Sequence, residues 1–197
     1  MKISLSSTAI GIYAAFVPLL LAGCNGGSSG STSLEPAPSI GVFIDSPVEG
    51  LNYKTQSTSG RTNSAGQFEF YPGETIIFSI GGITFEPTTA EIELSPLSIV
   101  KTTDFDDDEA LNIARFLQSL DADGNPDNGI KINELAHTIA QDMTLDFTSD
   151  FDNSDQVRDL IAAANPQYPD LVDREDAKNH LMYSLSLIHI SEPTRPY

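Results

Sequence analysis

The chain has 197 residues and a formal net charge of −18 at pH 7, with 28 acidic residues against 10 lysines and arginines. This excess of negative charge repels nucleic acid, so we exclude nucleic acid as a partner. Cations are the natural counter-ions of such a surface, although the solubility of an exported protein would account for the charge equally well. The single cysteine excludes a disulfide bond within the chain.

Residues 1–24 have the pattern of an export signal. Lys2 precedes an apolar stretch from Ala9 to Leu21, which is shorter than the roughly 20 apolar residues of a membrane-spanning helix. The tetrad Leu21–Cys24 resembles the lipobox of bacterial lipoproteins, which implies cleavage before Cys24 and a covalent lipid on its thiol. By resemblance to the sorting rules of Gram-negative lipoproteins, Asn25 after the cysteine implies the outer membrane, so we expect a cell-envelope protein that faces the periplasm or the cell surface. The alternative is an ordinary secretory signal with an incidental cysteine.

A tether and a strand-rich region follow the signal. Residues 25–39 are rich in glycine, serine and proline and predict a flexible tether. Over residues 40–97, short runs of β-forming residues alternate with turn residues. Phe68 and Phe70 alternate with Gln67 and Glu69, which is typical of a strand with one solvated face. The predicted strands span residues 41–44, 51–53, 67–71, 75–80, 83–85 and 91–94. This spacing predicts an antiparallel β-sandwich.

From residue 98 to residue 184 the apolar residues recur with a helical period. Four helices are predicted: one with the acidic run Asp106–Glu109 in its first turn, one capped by Asn133, one after Ser154 and one that begins near Asp173. The fold class is therefore predicted as α+β, with a strand-rich region followed by a small helical region. The two regions form either one small domain or two closely packed halves.

Residues 185–197 read LSLIHISEPTRPY and resemble the translation of an adapter used in sequencing libraries. We therefore predict that this segment is not natural sequence and that the natural protein continues beyond residue 184. The alternative is a genuine apolar tail.

An acidic loop, residues 121–134, separates the first two predicted helices. Oxygen atoms on alternate residues can turn toward one calcium ion, and this spacing resembles the front half of an EF-hand loop. The back half departs from that pattern, because Pro126 stands at the sixth position and Glu134 at the fourteenth. An insertion around Pro126 would reconcile the two. The candidate calcium ligands are Asp121, Asp123, Asn125, Asp127 and Glu134. The alternative is a plain turn between two helices.

The sequence holds no local catalytic motif of the nucleophile-elbow, zinc-protease or phosphate-loop type. His137 and His180 lie on predicted helices, where packed or surface positions are favoured over catalysis. The aromatic residues Tyr53, Phe68, Phe70 and Tyr71 have strand spacing, which favours the core over a sugar-binding platform. We therefore predict no catalytic residue.

Three segments, Ser46–Tyr53, Ser59–Phe70 and Gly73–Gly81, resemble the repeat-type β-sandwich modules of bacterial surface proteins. They are similar to carboxypeptidase-regulatory and Cna-B-like domains, with Thr62-Asn63 where such modules often have Thr-Asp. The segment Asn112–Ile130 is similar to one found after such modules in proteobacterial surface lipoproteins and exoproteins. The resemblance covers roughly residues 40–132 and implies a non-catalytic module displayed on the envelope.

The predicted function is a lipid-anchored cell-envelope module for adhesion, spacing or ligand presentation, stabilised by calcium if the acidic loop binds it. Its expected partners are the membrane, through the lipid, and an extracellular protein or polysaccharide. The alternative is the N-terminal accessory region of an exported enzyme, such as a hydrolase, whose catalytic part follows residue 184.

Overall fold

A computed structural model describes residues 37–191, which form a mixed α+β fold. The strands are β1 (Ser39–Phe43), β2 (Val48–Glu49), β3 (Asn52–Lys54), β4 (Ser59–Arg61), β5 (Gln67–Phe70), β6 (Thr75–Ile80), β7 (Ile83–Thr84), β8 (Thr88–Thr89), β9 (Glu93–Leu94) and β10 (Ile130–Lys131). The helices are α1 (Pro96–Val100), α2 (Asp108–Ser119), α3 (Glu134–Ile139), α4 (Asp155–Ala164) and α5 (Arg174–Ser191), with single-turn helices at Pro126–Asn128 and Phe151–Asn153. The predicted lipidation site, Cys24, lies outside the described residues.

The strands form three small sheets. In the first sheet, β1 runs antiparallel to β5 and parallel to β9. In the second, β3 lies between β4 and β6, and both β7 and β8 pair with β6. The third pairs β2 with β10, which attaches the turn after β1 to the acidic loop. The six predicted strands are confirmed to within two residues at each end, whereas the short strands β2, β4, β8 and β10 were not predicted.

Three of the four aromatic residues predicted for the core, Tyr53, Phe68 and Phe70, are buried, whereas Tyr71 is only half-buried. Phe68 and Phe70 are buried, and Gln67 and Glu69 between them are exposed. The ring of Phe78 on β6 lies 4.8 Å from that of Phe43 and 5.3 Å from that of Phe68, both edge-on. Such pairs add to the stabilisation that comes from burying the rings.

The strands and the helices share this core. Phe85, after β7, packs on Phe147, and Phe147 also contacts Phe116 of α2 and Phe151. One cluster of buried residues extends from Phe43 to Ala164. The predicted boundary between residues 97 and 98 falls inside α1, and strand β10 lies beyond it, so neither the secondary structure nor the core divides at that point.

A backbone hydrogen bond also connects the strands with the helices. Gly82, in the turn between β6 and β7, donates its N–H to the carbonyl of Ala140 at the end of α3, at 2.8 Å. Gly81 has φ of 58°, and a Cβ there would lie 2.6 Å from the Ala140 carbonyl carbon. Glycine is the residue that allows both this conformation and this close approach.

The helix starts follow from their capping residues. Asp107, Asn133 and Ser154 cap α2, α3 and α4, each by accepting a backbone N–H from the first turn. All three starts were predicted. The short helix α1 was not, because Pro96 was interpreted as a boundary. Proline in fact suits the first helical position, and Ser95 and Ser98 complete a capping box around it.

Helix α5 begins at Arg174, close to the predicted start, and continues to Ser191. It therefore enters the segment predicted to derive from an adapter, and Leu185 packs against a small cluster that contains Leu97 and Leu181. Within residues 37–191, the helices are either too short or too polar to cross a membrane.

Candidate functional site

An apolar cleft opens between the end of β1, the segment that leads into β9, and helix α5. Its volume is about 360 Å³, which is within the range of small-molecule pockets. The apolar lining residues are Val42, Ile44, Pro47, Ile92, Tyr183 and Leu187, and the polar ones are Ser46, Glu93, Asp127, His180 and Ser184. Leu187 belongs to the segment predicted to derive from an adapter, so the natural cleft is defined by the other lining residues.

A tight turn places Ser46 at this cleft. Ile44 and Pro47 form an antiparallel bridge around Asp45 and Ser46. The neighbouring strands hold the turn from both sides, since Ile44 donates its N–H to Leu94 at 2.7 Å and the carbonyl of Pro47 accepts from the Ile130 N–H at 3.0 Å. Ser46 has φ of 57°, in the left-handed region, which costs a non-glycine residue on the order of 1 kcal/mol.

Helix α5 supplies the imidazole of His180. Its neighbours on the helix, Ala177 and Leu181, are fully buried, which fixes the rotation of the helix. The His180 side chain is 8% exposed. Its Nε2 atom lies 3.1 Å from Oγ of Ser46 and 3.3 Å from Oγ of Ser184. Either hydroxyl group can donate to the single lone pair of this nitrogen when the ring proton is on Nδ1.

Asp127 lies on the other side of the same imidazole. Its Oδ1 atom is 3.2 Å from Nδ1 of His180. A carboxylate at this position favours the tautomer with the proton on Nδ1, which leaves Nε2 free to accept from Ser46. Ser46, His180 and Asp127 therefore form a hydrogen-bonded chain with the contacts of a Ser-His-Asp triad. The Asp127 side chain is 77% exposed, whereas a triad aspartate is typically buried.

The buried side-chain amide of Gln118 contacts both the turn that bears Ser46 and the helix that bears His180. Asp45 is fully buried, and Nε2 of Gln118 donates to both of its carboxylate oxygens at 3.0 Å. The same nitrogen lies 3.4 Å from the carbonyl oxygen of Ala177 on α5. Burial raises the pKa of Asp45 to about 7, and the Gln118 hydrogen bond opposes this rise. Gln118 thereby connects the turn that bears Ser46 to the helix that bears His180.

Asp121 and Asp123, two of the predicted calcium ligands, lie together in the acidic loop. The Asp121 carboxylate accepts the backbone N–H groups of Asn125 and Lys131, each at 2.8 Å. Asp123 accepts from the side chain of Asn128 at 3.0 Å. Burial raises the pKa of Asp121, while the hydrogen bond from Asn128 lowers that of Asp123. Both residues line a polar opening of about 210 Å³.

The other predicted ligands lie elsewhere. Asp127 turns toward His180, and Glu134 pairs with Arg61 on β4. Asn125 takes part in the loop through its backbone N–H. Among residues 37–191, no three or more histidine, cysteine or acidic side chains are grouped so that they could hold a metal ion.

His137 is a packed histidine, as predicted. Its Nε2 atom lies 2.8 Å from the carbonyl oxygen of Gly50, and its Nδ1 atom accepts the N–H of Gly81 at 3.2 Å. Burial lowers its pKa, so the neutral imidazole bridges these two backbone groups at neutral pH.

Comparisons with protein-family models, curated proteins and solved structures found no match for this chain. The juxtaposition of Ser46 and His180 could not be predicted from local sequence, because 134 residues separate them in the chain.

Proposed function

We propose that the protein is a lipid-anchored module of the cell envelope that presents a binding cleft for an uncharged apolar ligand. The cleft between β1, β9 and α5 carries this proposal, because a module that acts as a spacer needs no such cleft. Its walls are largely aliphatic, and the carboxylates of Glu93 and Asp127 repel anionic ligands.

The fold of residues 39–94 is, within this proposal, a β-sandwich of the Cna-B-like type. The support comes from the contacts between the first two sheets. Phe43 and Phe68 of the first sheet pack against Phe78 of the second, and Tyr53 of the second packs against Phe68. Interdigitation of the inner faces is how two sheets build a common core. The resemblance of the segments from Ser46 to Gly81 to such modules adds to this support.

The anchor is tested by following the lipid. In a bacterial host fed an alkyne-tagged palmitate, we expect the chain to be labelled and recovered with the membranes. Cys24→Ser should abolish the label. A matched control adds Ser28→Cys to Cys24→Ser, which restores a cysteine outside the Leu21–Cys24 tetrad and should leave the chain unlabelled. Palmitate label that persists in Cys24→Ser contradicts the proposed anchor.

The cleft is tested with an uncharged solvatochromic dye such as Nile red. Ile92 lines the cleft and is 69% exposed, so Ile92→Lys should weaken the dye's fluorescence enhancement without unfolding the protein. Leu135 is 46% exposed and lies outside the cleft, so Leu135→Lys is the matched control and should leave the enhancement unchanged. An equal response from the two variants contradicts the proposed site.

A further inference from the structure

The geometry points to Ser46 as the nucleophile of an ester-cleaving site, with His180 as its general base and Asp127 as the group that orients the imidazole. This inference rests on the cleft of the proposed function and assigns a reaction to it. The substrate class is an uncharged ester with a short apolar acyl chain.

The contacts of the imidazole carry the inference. Nε2 of His180 is 3.1 Å from the hydroxyl of Ser46, and Nδ1 is 3.2 Å from the carboxylate of Asp127. In serine hydrolases, likewise, Nε2 of the histidine faces the nucleophile and Nδ1 faces the carboxylate, because the base needs an unprotonated nitrogen next to the nucleophile. The three residues lie in the turn after β1, in α5 and in a single-turn helix, so the tertiary fold brings them together at the cleft.

The backbone at Ser46 adds a second observation. Its positive φ is a conformation that non-glycine residues rarely adopt, and such strain clusters at functional sites, including the turns that expose nucleophilic serines. Here the strained turn is held by backbone hydrogen bonds to Leu94 and Ile130. Gln118 acts as a positioning residue, since it holds Asp45 next to Ser46 and approaches the carbonyl of Ala177 on α5.

The hydrogen-bond donor for the developing oxyanion differs from that of a nucleophile elbow. An elbow uses the backbone N–H of the residue after the nucleophile, but here that residue is Pro47, which has no N–H. The hydroxyl of Ser184 lies 3.3 Å from Oγ of Ser46. A side-chain hydroxyl can serve as an oxyanion donor, so we assign this role to Ser184.

The cleft defines the substrate. Val42, Ile44, Ile92 and Tyr183 form walls suited to a short apolar acyl chain. The nearby carboxylates of Glu93 and Asp127 disfavour a charged ester with a free carboxylate or phosphate.

The reaction is an acyl transfer to the serine and then to water. Oγ of Ser46 attacks the ester carbonyl while its proton passes to Nε2 of His180. The bond between the acyl carbon and the alkoxy oxygen then breaks, and His180 returns the proton to the departing alcohol. In the second half, His180 takes a proton from water, the hydroxide attacks the acyl-serine, and the carboxylic acid leaves as Ser46 regains its proton.

The test uses the full chain purified in a mild detergent. A fluorophosphonate should form a covalent adduct on Ser46, located by mass spectrometry, and p-nitrophenyl butyrate should be hydrolysed above the buffer rate. Ser46→Ala should abolish both the adduct at this position and the hydrolysis. Ser64→Ala, at an exposed serine outside the cleft, is the matched control and should change neither.

Two variants separate catalysis from folding. Asp127→Asn changes an exposed side chain, so the protein stays folded, and it should slow hydrolysis roughly tenfold or more because the amide no longer enforces the Nδ1–H tautomer. His180→Ala should slow adduct formation on Ser46 by roughly a hundredfold or more, since the nucleophile loses its base. Binding of Nile red, measured on the same samples, reports the cleft independently.

The outcomes are distinguishable. A folded protein that binds Nile red but forms no adduct on Ser46 overturns the catalytic inference and leaves the binding cleft standing. A folded protein that neither binds Nile red nor forms the adduct overturns both the binding cleft and the catalytic inference. Hydrolysis that persists in Ser46→Ala, or adduct formation that is as fast in His180→Ala, overturns the roles assigned to those residues.

Discussion

Asp45 is a fully buried carboxyl group directly before Ser46, and its burial raises its pKa to about 7. In the unfolded chain the same group has its ordinary pKa near 3.8. Between about pH 4 and pH 7 the folded state therefore holds a proton that the unfolded state has released. Because a state that binds more protons is favoured at low pH, the free energy of unfolding contributed by Asp45 falls as pH rises through this window.

Asp45→Asn tests this dependence. The amide stays uncharged, so we expect the variant to be more stable than the wild type above pH 7, by up to about 4 kcal/mol, and to lose the Asp45 part of the pH dependence. The measurement is urea unfolding at intervals from pH 4 to pH 8. Asp159→Asn removes the same charge at an exposed position and should leave the slope close to that of the wild type. A wild-type slope in Asp45→Asn contradicts the assignment.

Helix α2 is the central element, since every residue from Ala110 to Ser119 is buried. Its polar side chains bond to segments far along the chain. Arg115 donates to the carbonyl of Val172 at 2.8 Å and pairs with Asp152, while Asn112 donates to the carbonyl of Phe147 at 2.9 Å. Ser119 accepts the N–H of Val172 at 2.9 Å. Helix α2 therefore fixes the loops before α4 and α5 through hydrogen bonds as well as through apolar packing.

Arg115→Ala should destabilise the protein by about 3 kcal/mol, because it leaves a cavity and a carbonyl without its donor. Arg158→Ala is the matched control, since Arg158 is half-exposed and its pair with Asp155 should contribute less than about 1 kcal/mol. Chemical denaturation of both variants gives the two values. If Arg115→Ala lowers the free energy of unfolding by less than about 1 kcal/mol, as expected for Arg158→Ala, the hydrogen bonds of Arg115 contribute little to stability.

The acidic loop is the element in which the calcium hypothesis is tested. Asp121 and Asp123 lie close enough to share a hydrogen bond, and a divalent cation at the polar opening would relieve their repulsion. Asp127 and Glu134 bond to other residues, so water would have to complete the coordination. Calcium bound this way would have the modest affinity of extracellular modules.

Thermal unfolding checks this hypothesis. We expect 10 mM calcium, about 10 to 100 times a Kd of that class, to raise Tm by roughly 3–8 °C, and excess chelator to reverse the rise. The double variant Asp121→Asn with Asp123→Asn should show no rise. Asp142→Asn with Asp159→Asn removes two exposed acids elsewhere and should respond like the wild type. If calcium leaves the Tm of the wild type unchanged, the loop does not bind calcium and is a plain turn between two helices.

The core that the strands and helices share predicts one cooperative unit over residues 37–191. Phe85 of the strand-rich region packs against Phe147, and the turn at Gly82 bonds to the end of α3. A domain that shares its core with its neighbour leaves apolar surface exposed when it is separated.

Residues 37–97 alone should therefore fail to fold, whereas residues 37–184 should fold. Near-ultraviolet circular dichroism and amide-proton dispersion in NMR spectra report the difference. The longer chain is the control, since it ends before the segment predicted to derive from an adapter. A dispersed spectrum from residues 37–97 would show that the strands fold independently of the helices.

The elements that depend on local chemistry could be predicted from the amino-acid sequence alone. The alternation around Phe68 and Phe70 predicted β5, and the capping residues Asn133 and Ser154 predicted the starts of α3 and α4, because period and capping act within a few residues. The two-residue strands β2 and β10 could not be predicted, since each exists only because the other pairs with it. The tetrad ending at Cys24, outside the described residues, stays a sequence prediction.

The contacts between distant polar side chains depend on the packing of the whole fold. Asp127 belongs by sequence to the acidic loop, yet it contacts His180, and Glu134 contacts Arg61 on β4. The pairing of β2 with β10 brings Asp127 to the cleft that holds Ser46, and the packing of α5 on α2 brings His180 there. Local periodicity carries no information about such contacts, because burial of the common core determines them.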